Sequence, residues 1–197
     1  MSRPPVALTI AGSDPSGGAG IQADLKTFSA LGAYGTSVIT ALTAQNTRGV
    51  TGVHVVPTEF VIRQLETLVA DVRLDVIKIG MLANAGIVAA VGDFLQSHDL
   101  VDCVVLDPVM VATSGDRLLD DDAVQAVREL MPLTSLITPN LAEAAALRPQ
   151  RESWIEAAFD AKRWLTAALA AADVLAIGHD PGKGHGPVHH FHEIWNS

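Results

Sequence analysis

Short apolar runs recur along the chain, separated by longer stretches whose apolar residues fall at helical spacing. Residues 6–10, 36–42, 53–56, 76–79, 103–107, 135–138 and 174–177 are the strand candidates. Most lack strict apolar–polar alternation, as strands covered on both faces do. Between them, Ile21, Leu25, Phe28 and Leu31 share one helical face, and Gly32 follows as a stop. Val61, Leu65, Leu68 and Val72 mark a second helix. Asn84 is placed to cap a third carrying Ile87, Val91 and Leu95, and Asp120 to cap a fourth carrying Val124, Val127 and Leu130. Asn140 and Ser153 open two more, each with a glutamate three positions on, Glu143 and Glu156, as in a capping box. Strands alternating with helices predict an α/β fold: a mostly parallel central sheet with helices on both faces.

A chain of 197 residues is the size of one domain with a substantial core. Residues 1–177 carry the strand–helix alternation. From Gly178 the composition changes, and residues 178–197 hold five of the seven histidines and four glycines without a clear period. That segment reads as a Gly/His-rich tail in loop or irregular form. The single cysteine, Cys103, excludes a disulfide framework within the chain, favours a reducing compartment, and is expected to be a buried, inert thiol in its apolar run. No apolar stretch reaches the roughly 20 residues that span a bilayer. The first residues lead straight into a strand-like run and do not resemble a secretory signal, so the expected location is cytoplasmic, away from membranes. A net charge of −9 argues against a nucleic-acid surface, which needs a basic patch. It leaves nucleotide binding open, since such sites rely on backbone N–H groups, helix N-termini and Mg²⁺.

Ligands of open α/β sheets bind outside the carboxyl ends of the strands. There the sequence places polar and glycine-rich segments: residues 11–20 after the first strand, 43–47 after the second, Gly80-Met81 after the fourth, Asp107-Pro108-Val109-Met110 with Thr113-Ser114-Gly115 after the fifth, and Thr138-Pro139-Asn140 after the sixth. Glycines in the first loop let backbone approach a ligand, and the helix behind it offers unpaired N–H donors. Taken singly, Asp107 and Asn140 also suit turns or caps, and Met81 suits core filling.

The run Ile10-Ala11-Gly12-Ser13-Asp14-Pro15-Ser16-Gly17-Gly18-Ala19-Gly20-Ile21-Gln22-Ala23-Asp24 resembles the hydroxymethylpyrimidine/phosphomethylpyrimidine kinases of thiamine biosynthesis. Residues 40–47, Lys78-Ile79-Gly80-Met81-Leu82, residues 106–111 with Ser114-Gly115, and residues 137–144 extend the resemblance over about 6–147. It implies a ribokinase-like fold, Mg²⁺ and ATP as cofactors, and ATP-dependent phosphorylation of 4-amino-5-hydroxymethyl-2-methylpyrimidine and then of its monophosphate. By position, Gly12, Asp24, Gln45, Met81 and Val109 would line the pyrimidine site. Asp107, Asn140 and Glu143 would face the nucleotide phosphates, with Asp107 and Glu143 toward the metal. A carboxylate suits the exocyclic amine, and an amide both donates and accepts. Glu143 also occupies the capping position. A homodimer is expected on the same resemblance.

Family members continue with a Lys-Gly-Gly-His turn and a Gly-Thr-Gly-Cys loop that binds the transferring phosphoryl group. Neither occurs in this sequence; residues 175–179 read Leu-Ala-Ile-Gly-His, and the catalytic residues are therefore unassigned. The run Gly182-Lys183-Gly184-His185-Gly186 lacks the Ser or Thr of a Walker A loop. His185, His189, His190 and His192 are open to two readings, a transition-metal tract or a solvated tail. Two alternatives to the pyrimidine kinase remain: a pyridoxal kinase-like vitamin kinase, and a non-catalytic pyrimidine-binding or regulatory homologue.

Overall fold

In the computed structural model, residues 3–98, 100–101, 103–109, 121–140 and 143 are described. Among the described residues five parallel strands form the central sheet in the order β2-β1-β5-β6-β7: β1 (Val6–Ala11), β2 (Tyr34–Ile39), β5 (Val76–Ile79), β6 (Val104–Leu106) and β7 (Leu136–Ile137). Between β2 and β5 the chain makes a separate antiparallel hairpin, β3 (Ala41–Asn46) with β4 (Gly49–Val55). Helices α1 (Gly20–Ala30), α2 (Thr58–Val69), α3 (Ala85–Ser97) and α4 (Asp121–Leu130) complete the described elements, with a 3₁₀ turn at Met131–Leu133.

The two faces of the sheet differ in the size of their side chains. On β1, Val6, Leu8 and Ile10 join Ile77, Ile79, Val104 and Leu106 in the main core. Val61 and Leu65 of α2, Ile87, Val88, Val91 and Phe94 of α3, and Val127 and Leu130 of α4 cover them. Because side chains alternate along a strand, Ala7, Thr9 and Ala11 point to the other face, toward α1. These small residues let α1 come close, and on β2 Gly35 does the same: a Cβ there would meet the side chains of Leu25 and Phe28.

The predicted strands and helices are found near their places where they are described, but Val72, assigned to the second helix, lies past the end of α2 at Val69, and five further expectations are corrected. The run 36–42 is not one strand: Thr40 breaks it, ending β2 and starting the hairpin. Residues 43–47, expected as a loop, are mostly strand, because their alternation of half-buried and exposed positions suits a hairpin with one face inward. Of residues 53–56, Val53, His54 and Val55 pair in that hairpin and not in the parallel sheet, and Val56 N donates to Thr40 O at 2.9 Å. Leu31, assigned to the inner face of α1, lies 64% exposed, since the helix has already ended beside Gly32, whose φ is +79°. Cys103 is exposed, not buried: it precedes β6, and its carbonyl accepts from Ile77 N at 3.1 Å while the residue itself stays open to water. Asn84 does cap α3, its Oδ1 accepting from Ile87 N at 2.9 Å. The Asp120 cap, the segments 110–120, 141–142 and 144–147, the helix opened by Ser153, strand 174–177 and the tail lie outside the described residues.

Candidate active site

The glycine-rich loop is organised from within. Asp14 is 2% exposed, and its carboxylate accepts from Ser16 N (2.9 Å), Ser16 Oγ (2.7 Å), Gly18 N (3.0 Å) and Ala19 N (2.8 Å). Its own N–H donates to Gln22 Oε1 at 2.7 Å, and Gly17 N donates to Asp14 O at 2.9 Å. An acid beside the first turn of α1 also complements the helix dipole. The Gly18 and Ala19 N–H groups just ahead of α1 are therefore taken up by Asp14, and the loop is held in shape from within. At Gly20 the left-handed φ of +57° and the closeness of the Gly12 carbonyl both exclude a side chain.

Gly12 follows β1, and a Cβ on it would strike the terminal methyl of Met81, which follows β5. Glycine there lets the thioether lie on bare backbone and make a flat, soft surface. Thr40, fully buried, holds this corner: its Oγ1 donates to Met81 O at 2.7 Å and its N–H to Ala11 O at 3.0 Å. The turn that carries Met81 includes Ala83 at φ +66°, an unusual conformation for a residue with a Cβ.

The hairpin is tied to the glycine-rich loop. Ser13 N donates to Ala41 O (2.9 Å), and Thr43 Oγ1 donates to Ser13 O (2.8 Å). Gln45 lies on the same inward face as Thr43, whose hydroxyl is 3.2 Å from Gln45 Oε1. The strand pairing shifts by one residue between Ala44 and Gln45, a bulge that re-aims the side chain. Among the described residues the Gln45 amide nitrogen has no protein acceptor.

Two further predicted residues meet through one that carried no assigned role. Asp24 on α1 accepts at Oδ2 from Thr9 Oγ1 (2.6 Å) and from Lys78 Nζ (3.0 Å). Lys78 Nζ also lies 3.8 Å from Asp107 Oδ2. Burial pushes the Asp107 carboxyl above its ordinary range; Lys78 opposes that rise, while Glu143 and Asp24 add to it. The Asp107 side chain still shows 37% of its surface, so water tempers the effect. Val109 stands two residues on, its N–H donating to Asp107 O at 2.8 Å. The sequence signal for Lys78 is a lone cation inside an otherwise apolar strand, Val76-Ile77-Lys78-Ile79.

Asn140 and Glu143 form the expected capping box: Asn140 N donates to Glu143 Oε2 (2.9 Å) and Glu143 N to Asn140 Oδ1 (3.0 Å). Glu143 is 5% exposed, yet its charge is felt at Asp107. Among the described residues no cluster of three or more His, Cys, Asp or Glu could hold a metal by itself. A pair of nearby carboxylates nevertheless suits magnesium, which keeps several waters and takes one or two carboxylates together with phosphate oxygens. A cavity of about 370 Å³, lined by Leu95, His98, Leu100, Val101, Val104 and Leu133, opens at the other end of β6 and contains none of these groups.

Gly12, Met81, Asp107, Val109 and Asn140 thus follow the carboxyl ends of β1, β5, β6 and β7 on one edge of a parallel sheet, with Asp24 and Gln45 brought in by α1 and the hairpin. The phosphomethylpyrimidine kinase family matches this chain over residues 14–185. The chain belongs to that family. It is 44% identical to the hydroxymethylpyrimidine/phosphomethylpyrimidine kinase of Salmonella typhimurium over 266 aligned positions, taking in 96% of this chain and 98% of that protein. The chain has 197 residues, so at least 69 of those 266 positions stand opposite a gap in it. The crystal structure of phosphomethylpyrimidine kinase from Clostridium difficile 630 superposes with a TM-score of 0.68 at 38% identity, covering 91% of this chain and 78% of that one. The pyridoxal kinase of Staphylococcus aureus, solved with AMP-PCP and pyridoxal, gives 0.64 at 35% identity over 74% of this chain and 52% of that one. The fold is ribokinase-like, and phosphomethylpyrimidine kinases are small-molecule phosphotransferases of thiamine biosynthesis. Among the described residues no helix is long and apolar enough to cross a membrane.

Proposed function

We propose that this chain binds 4-amino-5-hydroxymethyl-2-methylpyrimidine and its monophosphate at the edge formed by Gly12, Asp24, Gln45, Met81 and Val109, with Mg²⁺ and ATP on the Asp107–Asn140–Glu143 side. The observation that carries the reading is that Asp24, held by Thr9 and Lys78, and Gln45, beside Thr43, each keep polar atoms without a protein partner among the described residues, at the end of the sheet where Gly12 meets Met81. Asp24 spends Oδ2 on Thr9 and Lys78, and its Oδ1 accepts from no protein donor among the described residues. That oxygen is an acceptor for the exocyclic amine, while the Gln45 amide reaches a ring nitrogen. The Met81 thioether and the bare Gly12 backbone offer a flat apolar floor for the ring.

Asp107, with Glu143 close enough to raise its pKa, is the group that gains most from a cation. These two carboxylates would hold magnesium largely through its waters, and Asn140 would face the phosphates. When bound, the ion neutralises phosphate oxygens as charge shifts during transfer. The chain's own residues position the acceptor and keep its ring against Met81.

The Gly-Thr-Gly-Cys loop is absent from the sequence. Losing one preorganised donor to a developing negative charge lowers rates by about 10²–10³. We therefore expect pyrimidine binding with phosphoryl transfer slowed by at least that factor relative to a family member that has the loop.

Calorimetry with the pyrimidine and with pyridoxal, followed by ADP release with Mg²⁺ and ATP, tests the reading. Pyrimidine binding, weaker pyridoxal binding and slow ADP release are expected. Tighter binding of pyridoxal would move the chain to the pyridoxal kinase side, and no binding of either would remove the vitamin-kinase reading. Pyrimidine binding with no ADP release above background would make it a pyrimidine-binding homologue.

A further inference from the structure

Lys78 lies in the middle of β5, between Ile77 and Ile79, which are both fully buried on the opposite face. A lysine in a sheet normally carries its head out to water on its flexible stem. Here the side chain is only 21% exposed, and the stem runs toward the strand's carboxyl end across Gly80. A Cβ on Gly80 would lie 2.9 Å from Lys78 Nζ and 3.0 Å from Ala11 Cβ, so the absence of a side chain there is what opens the path. Thr9 stands directly opposite Lys78 in the β1–β5 pairing, and both reach the same Asp24 oxygen from the sheet below α1. Asp24 Oδ2 therefore has two donors at 2.6 and 3.0 Å, and the carboxylate has one orientation that keeps both. The same ammonium lies 3.8 Å from Oδ2 of Asp107, the residue that follows the neighbouring strand β6.

We infer that Lys78 is a positioning residue: it fixes Asp24 so that Oδ1 faces the aminopyrimidine, and it keeps this carboxylate in register with Asp107 on the phosphate side. The inference rests on the pyrimidine site proposed above. Without the ammonium, Asp24 and Asp107 face each other across the half-buried space with no cation between them, and Asp24 turns toward water. Breaking a partly buried pair by removing one partner leaves an uncompensated charge, a far larger change than losing a surface ion pair. Lys78 touches no substrate atom in this scheme, so its effect passes entirely through Asp24 and Asp107.

The test is a double-mutant cycle read by calorimetric binding of the pyrimidine without nucleotide. Lys78→Met should weaken binding about 10–100-fold, a loss of roughly 1.4–2.8 kcal/mol. Asp24→Asn should also weaken it, and adding Lys78→Met to Asp24→Asn should change little, because the lysine then has no carboxylate to aim. Gly80→Ala, which keeps the charge but places a methyl in the path of the stem, should weaken binding in the same direction. Thermal unfolding of each variant separates loss of fold from loss of aim; if Lys78→Met does not fold, Gly80→Ala alone and in the Asp24→Asn background gives the same comparison. A folded Lys78→Met that binds like wild type, or effects of Lys78→Met and Asp24→Asn that simply multiply, would overturn the inference. Wild-type protein that does not bind pyrimidine overturns the proposed function and this inference together.

Discussion

Asp107 illustrates how a single side chain trades stability for a site. Burial raises its pKa, with Glu143 and Asp24 adding to the rise against the pull of Lys78. A carboxyl whose folded pKa lies above its unfolded value favours the fold in its protonated form, so ionisation at higher pH works against the fold. Asp107→Asn should therefore raise the melting temperature of the ligand-free protein at pH 7. The gain should shrink as pH falls through the raised pKa toward the ordinary carboxylate value, where wild-type Asp107 is protonated as well. Melting curves from pH 4 to 8 check this; a variant less stable at pH 7 would mean that attraction to Lys78 outweighs burial. Individual residues were unequally legible in the sequence. Asp24, Gln45 and Asp107 were given roles by motif position, whereas Lys78, a lone cation in an apolar strand and part of a quoted motif, was given none, because its partners lie in α1 and just past β6, 54 and 29 positions away. Glu143 was legible as a cap, since a capping box is a local pattern of four residues, and the reciprocal bonds are there.

At the scale of elements, the loop between β1 and α1 depends on one acid. Asp14 takes four hydrogen bonds while nearly excluded from water, so Asp14→Ala would strand Ser16, Gly18 and Ala19 donors and remove the acid at the start of α1. Charge-assisted bonds are worth about 1.5–3 kcal/mol each, but water can re-enter an open loop, so a net loss of about 3 kcal/mol is expected. In a chain of this length that lowers the melting temperature by about 6–12 °C. Asp14→Asn, which keeps an acceptor, should lose roughly half as much. A change under 1 kcal/mol for Asp14→Ala would show that the loop is held by its backbone turns and by Lys26, which donates to Gly17 O at 2.6 Å. The same element shows why the loop was half legible. Its glycines announced a tight approach, but whether their N–H groups were open could not be read without knowing where Asp14 points. The hairpin escaped sequence reading for a different reason. Its inner face carries Thr43 and Gln45 in place of large apolar residues, so the alternation that marks a strand is written in polar side chains.

For the whole molecule, the deciding contrast is between a sheet buried on one side under α2, α3 and α4 and a hairpin that stands away from it. Leu42, Val53 and Val55 of the hairpin are 48%, 47% and 39% exposed, whereas Leu8, Ile10, Ile77 and Ile79 are fully buried. The hairpin is joined to the body mainly through the Ser13–Ala41 and Ser13–Thr43 bonds and through Val56 N donating to Thr40 O at 2.9 Å. An element with so little buried apolar surface opens at a lower free energy than the core. Amide hydrogens of β3 and β4 should therefore exchange well before those of β1 and β5 in the ligand-free protein. If Gln45 closes over a pyrimidine lying on Met81, the ligand binds only the closed hairpin, and its binding energy is added to the opening reaction. At a ligand concentration 100 times Kd that addition is about 2.7 kcal/mol, or close to 100-fold slower exchange. The slowing should appear in the hairpin and in residues 12–24, while β2 beyond the corner at Thr40 changes little. Slowing confined to residues 12–24 would place the ligand on the loop alone and take Gln45 out of the site. Uniform slowing across the whole sheet would mean that the hairpin opens only when the domain unfolds.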